Sequence, residues 1–141
     1  MKKPHRARLA RAARAARARA HAPYSGFRVG AAVLSGGRIH GGCNVENASY
    51  GLTVCAERNA VGAAVLAGAR RIEAVAVATG TEVPTPPCGA CLQVLAELGG
   101  PETEVALWGR GETPEIHTLG ELLPRAFHLR PGARGGRRRA P

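Results

Sequence analysis

The chain has 141 residues and a net charge of +10, and both facts limit what it can be. Its length suits one domain that forms a hydrophobic core without disulfide staples. Basic residues fill the two ends, whereas residues 29–129 hold six arginines against ten glutamates. A mildly acidic middle argues against an extended basic groove for nucleic acid. No run of about 18 apolar residues occurs, so the sequence predicts no membrane span.

The ends of the chain differ in character from its middle. We expect one domain over residues 1–129, with 1–6 flexible, and a disordered basic tail over 130–141. These ends would add at most weak, salt-sensitive affinity for nucleic acid. The arginine-rich, acid-poor start is also typical of an organellar transit peptide. Apolar residues at helical spacing favour instead a docked first helix over residues 7–20.

A β-hairpin and a second helix follow the first helix. Residues 27–34 (FRVGAAVL) and 39–44 read as two strands joined by the turn SGGR. Thr53 is the expected N-cap of a helix with the sequence VCAERNAVGAAVLAGA, which Gly68 ends.

The second half of the chain alternates strands and helices. The predicted elements are a strand at 74–78, a helix at 89–98, strands at 104–108 and 115–118, and a short helix at 119–123. Over the whole chain, this order implies one mixed sheet with helices packed on its faces.

Three cysteines stand at the starts of two predicted helices. Cys55 opens the second helix, and Cys88 and Cys91 form a C-x-x-C pair at the start of the third. Thiols at helix N-termini ionise more easily, and thiolates bind zinc. Three protein ligands leave a fourth position for water, as in catalytic zinc sites. Glu57 lies in the same first turn as Cys55, where a carboxylate that is not a ligand can carry protons.

Two structural alternatives stay open from the residues alone. Cys43 could complete a four-cysteine zinc clip, although its place in a strand favours a buried thiol. Cys88 and Cys91 could be a redox pair, which would leave Cys55 and Glu57 without a role. Arg58 is either an ordinary surface charge or a guanidinium that balances the thiolates and Glu57.

Four stretches in this order resemble the small, homotetrameric zinc cytidine deaminases. They are HAPYSGFRVGAAVL, GGCNVENASYGLTVCAERNAV, PPCGACLQVLAEL and ELLPRAF, and the resemblance as a whole covers roughly residues 9–128. The resemblance implies a three-layer α/β/α fold with one mixed five-stranded sheet. It also implies hydrolysis of cytidine and deoxycytidine to uridine and deoxyuridine in pyrimidine salvage, with release of ammonia.

The resemblance assigns a role to each matching residue. Zinc is bound by Cys55, Cys88 and Cys91, hydroxide on the zinc attacks C4, and Glu57 carries the protons. The substrate-binding residues it implies are Phe27, Asn44, Glu46, the Ala56 backbone, and Tyr50 and Phe127, which reach a neighbouring subunit's site. The family usually has arginine directly after the last zinc cysteine, and Leu92 stands there in this chain.

Three rival functions compete with this interpretation. One is a deaminase of a cytosine nucleoside analogue such as blasticidin S, which an intact Asn44–Glu46 pair disfavours. The second is a zinc-stabilised RNA-binding module that uses the basic ends and has no need of Glu57. The third is an enzyme that edits polynucleotides, and the acidic middle argues against the basic single-strand channel that it requires. Clustered cysteines without an export signal predict the reducing cytoplasm as the location.

Overall fold

The structure is a computed structural model that describes residues 3–132. Residues 133–141 of the predicted basic tail lie outside the described residues. The helices are α1 (Lys3–Arg17), α2 (Ala56–Leu66), α3 (Gly89–Leu98) and α4 (Leu119–Leu122), with a 3₁₀ turn at Tyr50–Leu52. The strands are β1 (Val29–Ser35), β2 (Arg38–Cys43), β3 (Ala74–Thr79), β4 (Glu104–Trp108) and β5 (Glu115–Thr118). None of the helices within residues 3–132 has the length and hydrophobicity that crossing a membrane requires.

The five strands form one mixed sheet in the order β2-β1-β3-β4-β5. Strands β3 and β4 run parallel, and α3 connects them. All other neighbouring strands are antiparallel, with β1 paired to both β2 and β3. The expectation of a single mixed five-stranded sheet is therefore confirmed.

Helices cover both faces of this sheet, which gives three layers. Successive side chains of a strand point to opposite faces. In β3, Val75 and Val77 join the cluster under α2 and α3, whereas Ala74, Ala76 and Ala78 alternate with them and face α1. Small residues on the α1 side let that helix lie close. At Gly30 of β1 a Cβ atom would lie 1.9 Å from the Ala13 carbonyl oxygen of α1.

The first helix begins four residues earlier than the pattern predicts, at Lys3. Residues 3–6, which were expected to be flexible, form its first turn. The side chain of Arg6 donates two hydrogen bonds to the Glu104 carboxylate at the start of β4, at 2.6 and 2.9 Å. This long-range ion pair fastens the helix start to the sheet, and local apolar periodicity carries no sign of it.

Other predicted boundaries differ from the observed ones by one to three residues. Helix α1 ends at Arg17 and not at residue 20. The N-cap of α2 is Cys55 and not Thr53, whose hydroxyl accepts from the Asn47 N–H at 3.2 Å. Strand β1 begins at Val29 and not at residue 27, because the backbone of Phe27 bonds to side chains and not to a neighbouring strand.

The start of α2 is held tightly against β2. The Asn59 amide donates to the Cys43 carbonyl at 2.8 Å. At Gly42 a Cβ atom would lie 2.3 Å from the Ala60 nitrogen and 2.6 Å from the Ala56 carbonyl oxygen. Glycine at position 42 therefore lets the backbone of α2 pack directly against β2. This close packing sets the position of Cys55 and Glu57 at the start of the helix.

Candidate active site

Two helix starts bring three thiols together. Cys55 is the N-cap of α2, Cys88 is the N-cap of α3, and Cys91 lies in the first turn of α3. Their sulfur atoms all lie within 4.8 Å of one another, and those of Cys88 and Cys91 are 3.5 Å apart. A tetrahedral zinc with Zn–S bonds of about 2.3 Å requires sulfur atoms about 3.8 Å apart. The three residues therefore fit a zinc ion, both in spacing and in the softness of their donor atoms.

Cys43 does not join this group. Its sulfur lies 3.7 Å from the Arg19 carbonyl oxygen, on the side of β2 that faces the end of α1. It is partly exposed and not fully buried. A four-cysteine clip that includes Cys43 is therefore not formed by the described residues, and the set has three protein ligands.

The two thiols of the C-x-x-C pair differ in their environments. Burial disfavours the Cys88 thiolate, but the N–H groups of Cys91 and Ala90 and the neighbouring thiols together lower its pKa. Burial raises the pKa of Cys91, and the carboxylate of Glu57 raises it further. The surroundings of the pair therefore favour a thiolate at Cys88 more than at Cys91.

Arg58 is the cation placed at this cluster. Its Nη2 lies 3.4 Å from the Cys55 sulfur and 3.5 Å from the Thr53 carbonyl oxygen. Its Nε is buried and makes no hydrogen bond to the described residues. The contact with Cys55 raises the pKa of the guanidinium. Leu92, where the resemblance leads one to expect arginine, is a buried part of the core under the sheet.

Glu57 stands beside the cluster in the first turn of α2. It is a buried carboxylate, only 5% exposed. Burial raises its pKa, against the opposing effects of its own N–H, the Cys91 thiol and the Arg58 charge. Its contact with the Cys91 thiol shows that Glu57 and the cysteines share one site.

A cavity of about 350 Å³ opens beside the cluster. Its lining includes the predicted site residues Phe27, Asn44, Glu46, Cys55, Ala56, Glu57 and Cys88. A second cavity of about 340 Å³ lies at the opposite end of the sheet, beside Leu34 and Glu104, and holds none of them. The first cavity is therefore the candidate substrate-binding site.

Asn44 lies just beyond the end of β2 and is engaged with the backbone. Its Oδ1 accepts from the Val29 N–H at 2.9 Å, and its Nδ2 donates to the Phe27 carbonyl at 2.8 Å. The amide thus fixes the entry into β1. These two contacts leave one N–H of the Asn44 amide for the cavity.

Glu46 lines the cavity and accepts three hydrogen bonds. Its Oε1 accepts from the N–H groups of Tyr24 and Ser25 at 2.9 and 3.1 Å, and its Oε2 accepts from the Ser25 hydroxyl. The Ser25 hydroxyl in particular lowers the pKa of Glu46. The carboxylate is therefore held ionised, in a fixed orientation.

Tyr50 and Phe127 do not line this cavity in the single chain. Tyr50 is 73% exposed and packs edge-on against Tyr24, with ring centroids 5.9 Å apart. Phe127 is 69% exposed, and its carbonyl accepts from the Gln93 amide at 2.7 Å. Both aromatic rings are thus presented to the outside.

Several cavity residues were missed by sequence reasoning. They are Ser25, Val29, Thr53, Val77, Thr79, Thr85 and Pro86. Of these, Ser25 lies within the quoted stretch HAPYSGFRVG, so a signal was available for it. The threonines carry no pattern that separates them from ordinary loop or strand-end residues.

Comparison of the sequence with known proteins agrees with this geometry. A family model described as the cytidine and deoxycytidylate deaminase zinc-binding region matches residues 3–107. The chain belongs to the cytidine deaminase family. It is 53% identical over 110 residues to the cytidine deaminase of Halalkalibacterium halodurans, an alignment that covers 77% of this chain and 83% of that protein. With the Mycobacterium tuberculosis cytidine deaminase it shares 47% identity over 113 residues, 79% of this chain and 81% of that one.

Solved structures of cytidine deaminases have the same fold. The crystal structure of cytidine deaminase from Burkholderia pseudomallei superposes with a TM-score of 0.83 at 48% identity, covering 90% of this chain and 100% of that one. The enzyme from Mycobacterium tuberculosis superposes with a TM-score of 0.76 at 45% identity, covering 87% and 97%. The fold, the cytidine deaminase family and the expectation of zinc as the cofactor are confirmed, and the three-cysteine cluster is compatible with that metal. The roles expected for individual binding residues stay predictions.

Proposed function

We propose that this chain hydrolyses cytidine and deoxycytidine to uridine and deoxyuridine, with release of ammonia. One observation carries the proposal: Cys55 and Cys88 of the three-thiol cluster and the buried Glu57 line the same cavity as Phe27 and Glu46. A zinc ion bound by the cluster would thus lie, with Glu57 beside it, in a cavity that also holds a carboxylate and an aromatic ring suited to a nucleoside. The names of the related enzymes support the same substrate.

Glu57 is the residue that we assign to proton transfer. Zinc held by Cys55, Cys88 and Cys91 supplies a Lewis acid that lowers the pKa of water towards about 7. Glu57 takes the proton from the attacking water and gives it to ring N3 while the water oxygen bonds to C4. A second proton passes through Glu57 to the exocyclic amine, the C4–N bond breaks, and ammonia leaves. Its burial excludes bulk water from these transfers.

The remaining cavity residues hold the nucleoside. Phe27, 42% exposed at the rim, packs against it, and the backbone of Ala56 contacts the carbonyl side of the base. Asn44 and Glu46 bind the ribose at its 3′-hydroxyl. Because both ribose and deoxyribose carry that hydroxyl, the same pocket accepts cytidine and deoxycytidine.

The proposal includes a homotetramer with shared sites. The exposure of Tyr50 and Phe127 supports it, since large aromatic side chains are commonly buried at interfaces. Gln93 holds the Phe127 backbone against α3, which sets the direction of the C-terminal segment. In the tetramer these two rings complete a neighbouring subunit's cavity. Light scattering coupled to size exclusion tests the assembly; a monomer that deaminates cytidine at full rate contradicts it.

A direct assay tests the substrate. Loss of cytidine absorbance is followed with purified protein, with a chelator control and a metal count per chain. Blasticidin S and single-stranded RNA are assayed beside it at the same enzyme concentration. We expect turnover of cytidine and deoxycytidine that falls with zinc removal, and none with the other two. Zinc-loaded protein without cytidine turnover would falsify the proposal. Cytoplasmic location and a part in pyrimidine salvage stay predictions from the sequence.

A further inference from the structure

Ser25 has no part in the chemistry above, yet it touches both walls of the nucleoside site. It is exposed and lines the cavity. Its hydroxyl accepts from the Phe27 N–H at 2.9 Å and bonds to Oε2 of Glu46. An ionised carboxylate only accepts hydrogen bonds, so the single hydrogen of the Ser25 hydroxyl is donated to Glu46. The Phe27 N–H donates to the oxygen of the same hydroxyl, which leaves the hydroxyl hydrogen free to point at Glu46.

The two oxygens of Glu46 are used unequally. Oε1 accepts from two backbone N–H groups, those of Tyr24 and Ser25. Each carboxylate oxygen offers about two acceptor sites, so Oε1 is saturated. Oε2 accepts only from the Ser25 hydroxyl among the described residues and keeps one site open. The oxygen that is free to meet a sugar hydroxyl is therefore the one that Ser25 holds.

Phe27 does not depend on Ser25 alone. Its carbonyl accepts from the Asn44 amide at 2.8 Å, and the next residue but one, Val29, donates to the same amide. Removal of the Ser25 hydroxyl therefore leaves the aromatic wall held by Asn44. The main effect of such a change falls on the carboxylate.

We propose that Ser25 is a positioning residue that aims Oε2 of Glu46 at the 3′-hydroxyl of the nucleoside. The inference rests on the proposed function, since it concerns how the same site recognises the 3′-hydroxyl of the sugar. Without the hydroxyl, the Glu46 side chain still accepts from the backbone through Oε1 but turns about that contact. The 3′-hydroxyl then meets a carboxylate whose second oxygen is no longer fixed.

The test compares Ser25→Ala with the wild-type enzyme on cytidine and on 3′-deoxycytidine, which lacks the hydroxyl that Glu46 binds. We expect kcat/KM for cytidine to fall about tenfold, mainly through KM, since a hydrogen bond to a charged group is lost. For 3′-deoxycytidine we expect a change of less than about twofold, because that substrate has no such bond to lose. Ser25→Thr retains the hydroxyl, so we expect its ratio of kcat/KM for cytidine to kcat/KM for 3′-deoxycytidine to match that of the wild type.

Matched controls separate positioning from general damage. Ser35→Ala, at the other end of β1 from the cavity, leaves both substrates at the wild-type rate. Thermal unfolding and zinc content confirm that each variant is folded, and Ser25→Gly replaces Ser25→Ala if the alanine variant does not bind zinc. An equal loss on both substrates overturns the inference alone. Wild-type enzyme that does not turn over cytidine overturns the proposed function, and this inference with it.

Discussion

The guanidinium of Arg58 lies against the sulfur of Cys55, with Nη2 and Sγ 3.4 Å apart. The two residues stand three positions apart at the start of α2, so one helical turn brings them together. Three thiolates around a zinc ion leave a net charge of −1, and an ionised Glu57 makes it −2. Leu92 adds an apolar side chain to the core where a further cation was expected. We therefore expect Arg58 to balance the charge of the site.

Replacement of Arg58 should weaken zinc binding without removing a ligand. We expect Arg58→Ala to lose zinc to a chelator about 10–100-fold more readily than the wild type, the usual effect of removing a partner of a metal ligand. Arg58→Lys retains the positive charge but not the planar guanidinium. We expect its zinc loss to be faster than that of the wild type and slower than that of Arg58→Ala. The zinc content of each protein after a fixed time with the chelator shows the order in which the three proteins retain the metal. Equal retention by Arg58→Ala and the wild type would show that the contact has no such role.

Glu57→Gln separates proton transfer from metal binding. The variant keeps the size of the side chain but cannot carry a proton, so we expect kcat to fall by about 10²–10⁴-fold or more. Zinc remains at one per chain, because the three thiols are intact. Absorbance kinetics and a metal count on the same sample measure both quantities. Turnover near the wild-type rate would remove Glu57 from the mechanism.

Two glycines give a matched pair for the packing of α2. In Gly42→Ala the new Cβ would lie 2.3 Å from the Ala60 nitrogen, so the helix must move away from β2. We expect a loss of about 1–3 kcal/mol in the free energy of unfolding, together with lower zinc affinity. Gly62 lies on the exposed side of α2 with nothing within 4 Å of its Cβ position. Gly62→Ala should stabilise the protein by about 0.5–1 kcal/mol. Urea unfolding of both variants checks the sign of each change.

The ion pair between Arg6 and Glu104 makes stability depend on pH. The hydrogen bond from Arg6 holds the pKa of Glu104 below its ordinary value. The stabilisation is therefore complete above the ordinary glutamate pKa of about 4.3 and is lost as pH falls through the lowered pKa of the folded state.

The matched variants for this pair are Glu104→Gln and Glu102→Gln. We expect Glu104→Gln to lower Tm at pH 7 and to differ much less from the wild type at pH 3. Glu102 forms a 3.6 Å pair with Arg71 in which both side chains are well exposed, so its replacement should have little effect at either pH. A Glu104→Gln deficit of the same size at pH 3 and pH 7 would contradict the prediction.

Local patterns in the sequence were enough to predict most of the elements. Residues 89–98, 104–108 and 115–118 were assigned with their observed bounds, because apolar periodicity there agrees with the flanking glycines and prolines. The start of β1 was misplaced because Ser25 and Asn44 bind the backbone of Phe27. That competition depends on a residue 17 positions away, which no local window contains.

The sequence by itself was enough to predict the ligand types and to single out Glu57 as the proposed proton carrier. Cysteines at helix starts are a local feature, and a carboxylate two residues after Cys55 shares the same first turn. Only the tertiary structure decided which thiols meet. The sulfur of Cys55 reaches those of Cys88 and Cys91 because α2 and α3 lie side by side on one face of the sheet, while Cys43 points elsewhere. Likewise, only the folded chain shows that Glu46 has one oxygen bound to backbone and the other held by Ser25. Such contacts join segments that are distant in sequence, and side-chain pattern alone does not encode their geometry.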